Sequence, residues 1–201
     1  MNGYLAMTVK TKAEIVFEEF CNSNNIRCEK IAEYDQPTPD YRVVLNAETV
    51  IVEVKQIDKD DNFTEAWGSR RIIGDHIRAK INEARKQVKA ASNERLPAIL
   101  LIYNNLDPMQ MFGTEQHDFI VAMYGEMTVV INPKQHVITN SYHGRNQSLR
   151  HNKNTSFSAV GRLYQTNEGP VVRIYENIFS EYHLDYSALP KCIEVIRIEL
   201  S

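Results

Sequence analysis

Six consecutive apolar residues, Ala98-Ile99-Leu100-Leu101-Ile102-Tyr103, constrain this chain more than any other stretch. Pro97 marks the start of the run. A short apolar run with no polar face reads as a strand buried on both faces. The segment before it is different in kind. Ile77, Ile81, Ala84, Val88 and Ala91 recur at spacings of four, three, four and three. That period lays one apolar stripe along a helix over residues 75–92, with Asp75 placed to cap it.

Further upstream, residues 41–45 and 49–55 are rich in β-branched side chains and flank the turn-like Asn46-Ala47-Glu48. Residues 13–24 gather Ile15, Val16, Phe17 and Phe20 on one side and stop at Asn22-Ser23-Asn24-Asn25. A short strand fits residues 26–32. Downstream, residues 117–124 read as a helix and 127–131 as a strand. Strand-like segments follow at about 136–142, 156–164, 171–176 and 192–199, with a polar, basic loop over 140–154. The expectation is an α/β core over residues 1–132 and a β-rich extension over 133–201. The extension is either a subdomain or more strands on the same core.

At 201 residues the chain fits one domain, or one domain with an appendage. Apolar residues make up 43% and charged residues 24%, which excludes a disordered, collagen-like or coiled-coil chain. No apolar run approaches the length of a membrane span, and the first residues lack a basic and apolar leader. Cys21, Cys28 and Cys192 are odd in number and form no CxxC pair. Reduced thiols, a cytoplasmic location and no membrane partner are therefore expected.

The net charge of −3 argues against a general nucleic-acid coat. Its distribution is uneven. Residues 70–95 hold eight Lys/Arg against three acids, and residues 134–173 hold six against one, so each stretch is +5. The rest of the chain carries −13. Such segregation can build a basic face on an acidic molecule, or it can be solvated surface in both places.

Chemistry is concentrated at Pro39-Asp40, followed after twelve residues by Glu53-Val54-Lys55. Alternate residues of a strand share a face, so Ile51, Glu53 and Lys55 point one way while Val50, Val52 and Val54 point into a core. A hairpin returning from Asp40 sets a second carboxylate beside Glu53. Two carboxylates and the Val54 carbonyl make a hard oxygen site suited to Mg²⁺, with Mn²⁺ as substitute. An adjacent ammonium can hold a water near a phosphate. The bland alternative is an exposed hairpin whose Glu53 and Lys55 form an ordinary ion pair.

These residues resemble the PD-(D/E)XK nuclease superfamily, whose restriction-endonuclease-like core runs helix, three strands, helix, strand. The order read for residues 13–103 is the same, and the likeness covers about half the chain. The resemblance implies a Mg²⁺-dependent nuclease, with DNA favoured over RNA as substrate and an endonuclease favoured over an exonuclease. It implies that Asp40 and Glu53 hold metal with the Val54 carbonyl, that Lys55 positions the nucleophilic water, and that Glu14 on the first helix, with Glu18 one turn later as the alternative, assists directly or through water. Such members serve restriction, phage defence, repair or junction resolution. A homodimer would let two sites cut two strands. The alternative is a noncutting nucleic-acid-binding or interaction module on the same fold.

Nucleic-acid contacts are expected from Arg78, Arg85 and Lys89 on helix 75–92, from Arg70 and Arg71 in the loop before it, and from Arg145 and Arg150 in the loop after residue 140. Lys80 and Gln87 form a neighbouring row on the helix. For each stretch a solvated surface is the competing reading. Trp67 is either a stacking residue or core. The loop acids Asp58, Asp60, Asp61 and Asn62 do not make a calcium loop, because Phe63 stands where glycine is required and Ser69 where the bidentate Glu belongs. The histidines show no zinc spacing, and no Walker A, dinucleotide or G-x-S-x-G motif is present.

Overall fold

A computed structural model describes residues 10–32, 36–58, 72–107 and 109–198. Helix α1 (Lys12–Ser23) begins with a capping box: the Thr11 hydroxyl accepts from the Glu14 N–H, and the Glu14 carboxylate accepts from the Thr11 N–H. Its buried side includes Val16, Phe17, Phe20 and Cys21. The strands β1 (Arg27–Lys30), β2 (Tyr41–Leu45) and β3 (Glu48–Ile57) follow. Asn46 and Ala47 both take positive φ, 46° and 76°, which matches the turn to the twist of the β2–β3 hairpin. Helix α2 (Asp75–Ser92) leads into β4 (Ala98–Asn104), every residue of which is buried. The chain continues through α3 (Gln116–Tyr124), β5 (Met127–Asn132), β6 (Val137–His143), β7 (Ala159–Thr166), β8 (Gly169–Glu176) and β9 (Ile193–Ile196).

Seven strands form one mixed sheet in the order β1-β2-β3-β4-β7-β8-β9. β1, β2 and β3 are antiparallel, β3, β4 and β7 are parallel, and β8 is antiparallel to β7 and parallel to β9. The fold is therefore α/β. Both faces of the sheet are covered, and β4 displays the reason for its apolar run. Ile99, Leu101 and Tyr103 pack with the α1 residues, while Ala98, Leu100 and Ile102 pack with Ile77, Ile81 and Val88 of α2 and Phe119 of α3. β3 alternates the same way. Val50, Val52 and Val54 lie in the α1 cluster, and Ile51 and Ile57 lie in the α2 cluster.

Residue 132 is the last of β5, and β7, β8 and β9 of the C-terminal segment share the sheet with β1–β4. β5 and β6 pair only with each other as a ribbon outside that sheet. β3 is longer than its β-branched run suggests, because its parallel pairing with β4 continues to Ile57 opposite Asn104. The strand expected from residue 156 begins at 159, because a turn closed by Phe157 N–H on the Asn154 carbonyl precedes it. Arg70, Arg71 and Trp67 lie outside the described residues.

Candidate active site

β2 pairs with β3 only as far as Tyr41 opposite Val52. The rest of β3 runs beyond its neighbour, which leaves backbone donors on that edge without a strand partner. Asp40, the residue before β2, fills this gap. Its Oδ2 accepts from the Val54 N–H at 2.8 Å, and its own N–H donates to Glu53 Oε2 at 3.1 Å. The Asp40 carbonyl accepts from Ile31 N–H at 2.8 Å, tying the same point to β1. The spacing of twelve residues between Asp40 and Glu53 thus closes on two hydrogen bonds, one donated by Asp40 to Glu53 and one received by Asp40 from Val54. In extended backbone the N–H and C=O of one residue face the same side. The Val54 carbonyl is accordingly directed to the side on which Asp40 lies.

Glu53 is only 1% exposed. Its Oε1 has Lys55 Nζ at 2.6 Å but no hydrogen bond of good geometry from any described group. Burial, and next the charge of Asp40, push the Glu53 carboxyl up to about 7. Burial also raises Asp40. Burial pulls the Lys55 ammonium down, but the Glu53 carboxylate outweighs it and the net shift is upward. Lys55 therefore stays charged beside two carboxylates that resist being charged together.

Glu14 is buried close by and has committed both oxygens. One accepts from the Thr11 N–H at 2.7 Å and the Thr11 hydroxyl at 2.9 Å, and the other pairs with Lys30. Burial raises this carboxyl, yet Lys30 and the Thr11 bonds hold it below the ordinary range. Direct ligation of an ion by Glu14 would require release of one of these partners, whereas contact through water would not. Lys30 had no distinguishing signal in the sequence, because its role depends on β1 passing beside α1. Gln56 is a second such residue. Its Oε1 accepts from the Ala13 N–H at 3.0 Å and moors the start of α1 to β3.

The carboxylate oxygens of Asp40 and Glu53 are of the hard type that a divalent cation takes. Glu14, Asp40 and Glu53 place three carboxylates against the ammonium groups of Lys30 and Lys55. The Glu53 oxygen facing Lys55 is buried, and the two neighbouring acids Asp40 and Glu53 are raised by burial and proximity. Asp40, Glu53 and the Val54 carbonyl could hold Mg²⁺, which takes one or two carboxylates and keeps several waters. Among the described residues no three His, Cys, Asp or Glu side chains form a metal-binding group.

Helix α2 separates its polar residues onto two flanks of its apolar stripe. At about 100° per residue, Lys80 and Gln87 lie within about 60° of Glu83, whereas Arg78, Arg85 and Lys89 lie about 200–240° from it. Glu83 acts electrostatically on Lys55, so its flank is the one toward the carboxylates. Arg85 and Lys89 instead line a cleft with residues 152–157. Arg78 is spent on structure: it donates to Asp75 Oδ1 at 2.7 and 3.1 Å, to the Ile73 carbonyl at 2.6 Å and to the Val121 carbonyl at 3.3 Å. Arg145 is exposed and 3.5 Å from Glu126, and Arg150 is exposed beside Lys153.

Comparisons of the chain with protein-family models, with curated proteins and with solved structures returned no match. The functional reading rests on the residues themselves.

Proposed function

We propose that this protein is a metal-dependent nuclease on a restriction-endonuclease-like core, hydrolysing phosphodiester bonds with DNA as the favoured substrate. The observation that carries the reading is the interlock of Asp40 and Glu53 at the uncovered end of β3, with Lys55 Nζ 2.6 Å from Glu53 Oε1. The order helix, three strands, helix, strand over residues 12–104 supports the core assignment.

Asp40, Glu53 and the Val54 carbonyl would hold Mg²⁺ or Mn²⁺. When bound, such an ion polarises a phosphoryl oxygen and lowers the pKa of a water. The protein supplies the rest. Asp40 is fixed by three backbone-linked hydrogen bonds, so the carboxylates are set before substrate arrives. Lys55, a compact cation with three donors, orients the attacking water and offers charge to the phosphate. Its pairing with Glu53 keeps it protonated and in place until then.

The test is the purified full chain with Mg²⁺ or Mn²⁺ and a panel of duplex, single-stranded and branched DNA and RNA. Cleavage that disappears in both Asp40→Asn and Lys55→Ala is the expected result. Binding without cleavage by the wild-type protein on every substrate would replace the nuclease with a noncutting nucleic-acid-binding module.

A further inference from the structure

The two basic stretches of the sequence, around residues 70–95 and 134–173, meet in space. Between α2 and residues 152–157 lies a cleft of about 160 Å³ lined by Arg85, Lys89, Lys153, Asn152, Thr155 and Ser156. Among the described residues no carboxylate lines it. Several described cations elsewhere are paired, as in Arg42 with Glu94, Lys80 with Glu83 and Arg173 with Glu194. Arg85 and Lys153 have no ion-pair partner among the described residues. Arg85 and Lys153 face the cleft from its two walls, and Lys89, which has a partner of its own, stands one turn from Arg85. Two unpaired cations, Arg85 and Lys153, with hydroxyl and amide groups around a concave space whose described lining holds no acid, form the donor set of a phosphate.

The cleft is built in advance. Asn154 sits in the left-handed region at φ 57° and is anchored by its Nδ2, which donates to the Ser148 carbonyl at 2.8 Å. Asn177 Nδ2 donates to the Phe157 carbonyl at 2.6 Å, and Glu181 N–H donates to the Thr155 carbonyl at 2.8 Å. The loop is thereby fastened to Ser148 and to the segment after β8. Such a wall loses little conformational freedom when an anion enters.

We infer that this cleft is a second phosphate-binding site, on the opposite flank of α2 from the carboxylates, which holds a backbone phosphate of the nucleic acid outside the scissile bond. The occupant rests on the nucleic-acid reading above; the cleft's preference for a phosphate does not. α2 is about 10–12 Å across, so one strand reaches both places only if it extends several nucleotides from the cut.

Full-length wild-type, Arg85→Gln, Lys153→Gln, the double variant and a Lys191→Gln control are compared for binding to a 20-base-pair DNA duplex. Anisotropy is read in EDTA over a salt series, apart from any cleavage. Each single variant should lower the slope of log affinity against log salt by about 0.9, and weaken binding about eightfold at 0.1 M salt. The double variant should lose little more slope than either single one, because both residues grip one phosphate. Unchanged slopes in a wild-type protein that binds DNA would overturn the inference.

Titration of inorganic pyrophosphate, followed through backbone amide NMR signals of residues 152–157, separates the two layers. Shifts there in a protein that binds no nucleic acid would overturn the nucleic-acid occupant and support the phosphate site. Absence of both DNA binding and shifts would overturn both.

Discussion

Glu53→Gln tests the electrostatics of the candidate site in the metal-free protein. In the folded chain the Glu53 carboxyl is raised from 4.5 to about 7. One pKa unit corresponds to about 1.4 kcal/mol, so the ionised form costs about 3 kcal/mol relative to the unfolded chain. The folded state binds the proton at pH values where the unfolded chain has released it. The stability associated with that proton is complete below about 4.5 and is lost as pH rises through about 7. Glutamine imitates the protonated acid and keeps an acceptor for the Asp40 N–H. The variant should match wild type near pH 4.5 and exceed it by about 3 kcal/mol at pH 8. For a chain of this size that is roughly 6–12 °C in Tm. Thermal unfolding by circular dichroism in EDTA at the two pH values is the assay. Mg²⁺ at pH 8 should raise the wild-type Tm and leave that of the variant nearly unchanged. A difference in Tm that is the same at both pH values would refute the reasoning, because it would place the effect in packing rather than in charge.

Lys55→Ala should abolish cleavage while isothermal titration still detects Mg²⁺ binding; Asp40→Asn should lose both, since the ion cannot spare a carboxylate. Apparent Mg²⁺ affinity of the wild type should rise between pH 6 and 8 as Glu53 releases its proton, and a pH-independent titration would contradict its assignment as a ligand. Glu14→Ala should lower stability by about 1 kcal/mol through loss of the capping box, with Mg²⁺ affinity retained. A drop in metal affinity as large as that of Asp40→Asn would instead place Glu14 among the ligands. Arg78→Ala should reduce Tm and leave the salt slope of DNA binding unchanged, because its guanidinium already holds Ile73, Asp75 and Val121.

Local patterning made α1, β2, β3, α2 and β4 legible, because each carries a helical or alternating period that a single window contains. The placement of Asp40 beside Glu53 was legible for the same reason: only a tight hairpin separates them. The flanks of α2 were not. Spacing gives Arg78, Arg85 and Lys89 a common side, but which neighbour that side meets depends on how the helix lies across β3 and β4. The membership of β7 in the central sheet was equally hidden, since it pairs with β4 across more than fifty residues of chain. Glu14 illustrates a third limit. A carboxylate at the third helical position serves a cap or an ion with the same side chain, and Lys30, which weights the choice, sits on another strand.

The β5–β6 ribbon has a closed neck. Glu126 N–H donates to the Arg145 carbonyl at 3.0 Å and Gly144 N–H returns to the Glu126 carbonyl at 2.8 Å, so the chain leaves and rejoins the body at nearly one point. Gly125 makes the junction possible: its φ is 96°, and a Cβ there would lie 2.6 Å from the Arg145 carbonyl. Beyond the neck the ribbon exposes Met127, Val129, Ile131 and Ile138. An excursion that begins and ends at hydrogen-bonded neighbours can be shortened, lengthened or exchanged without altering the register of β4 against β7. Descendants of this chain are thus free to vary that arm, and whatever it touches, while inheriting the carboxylate site unchanged.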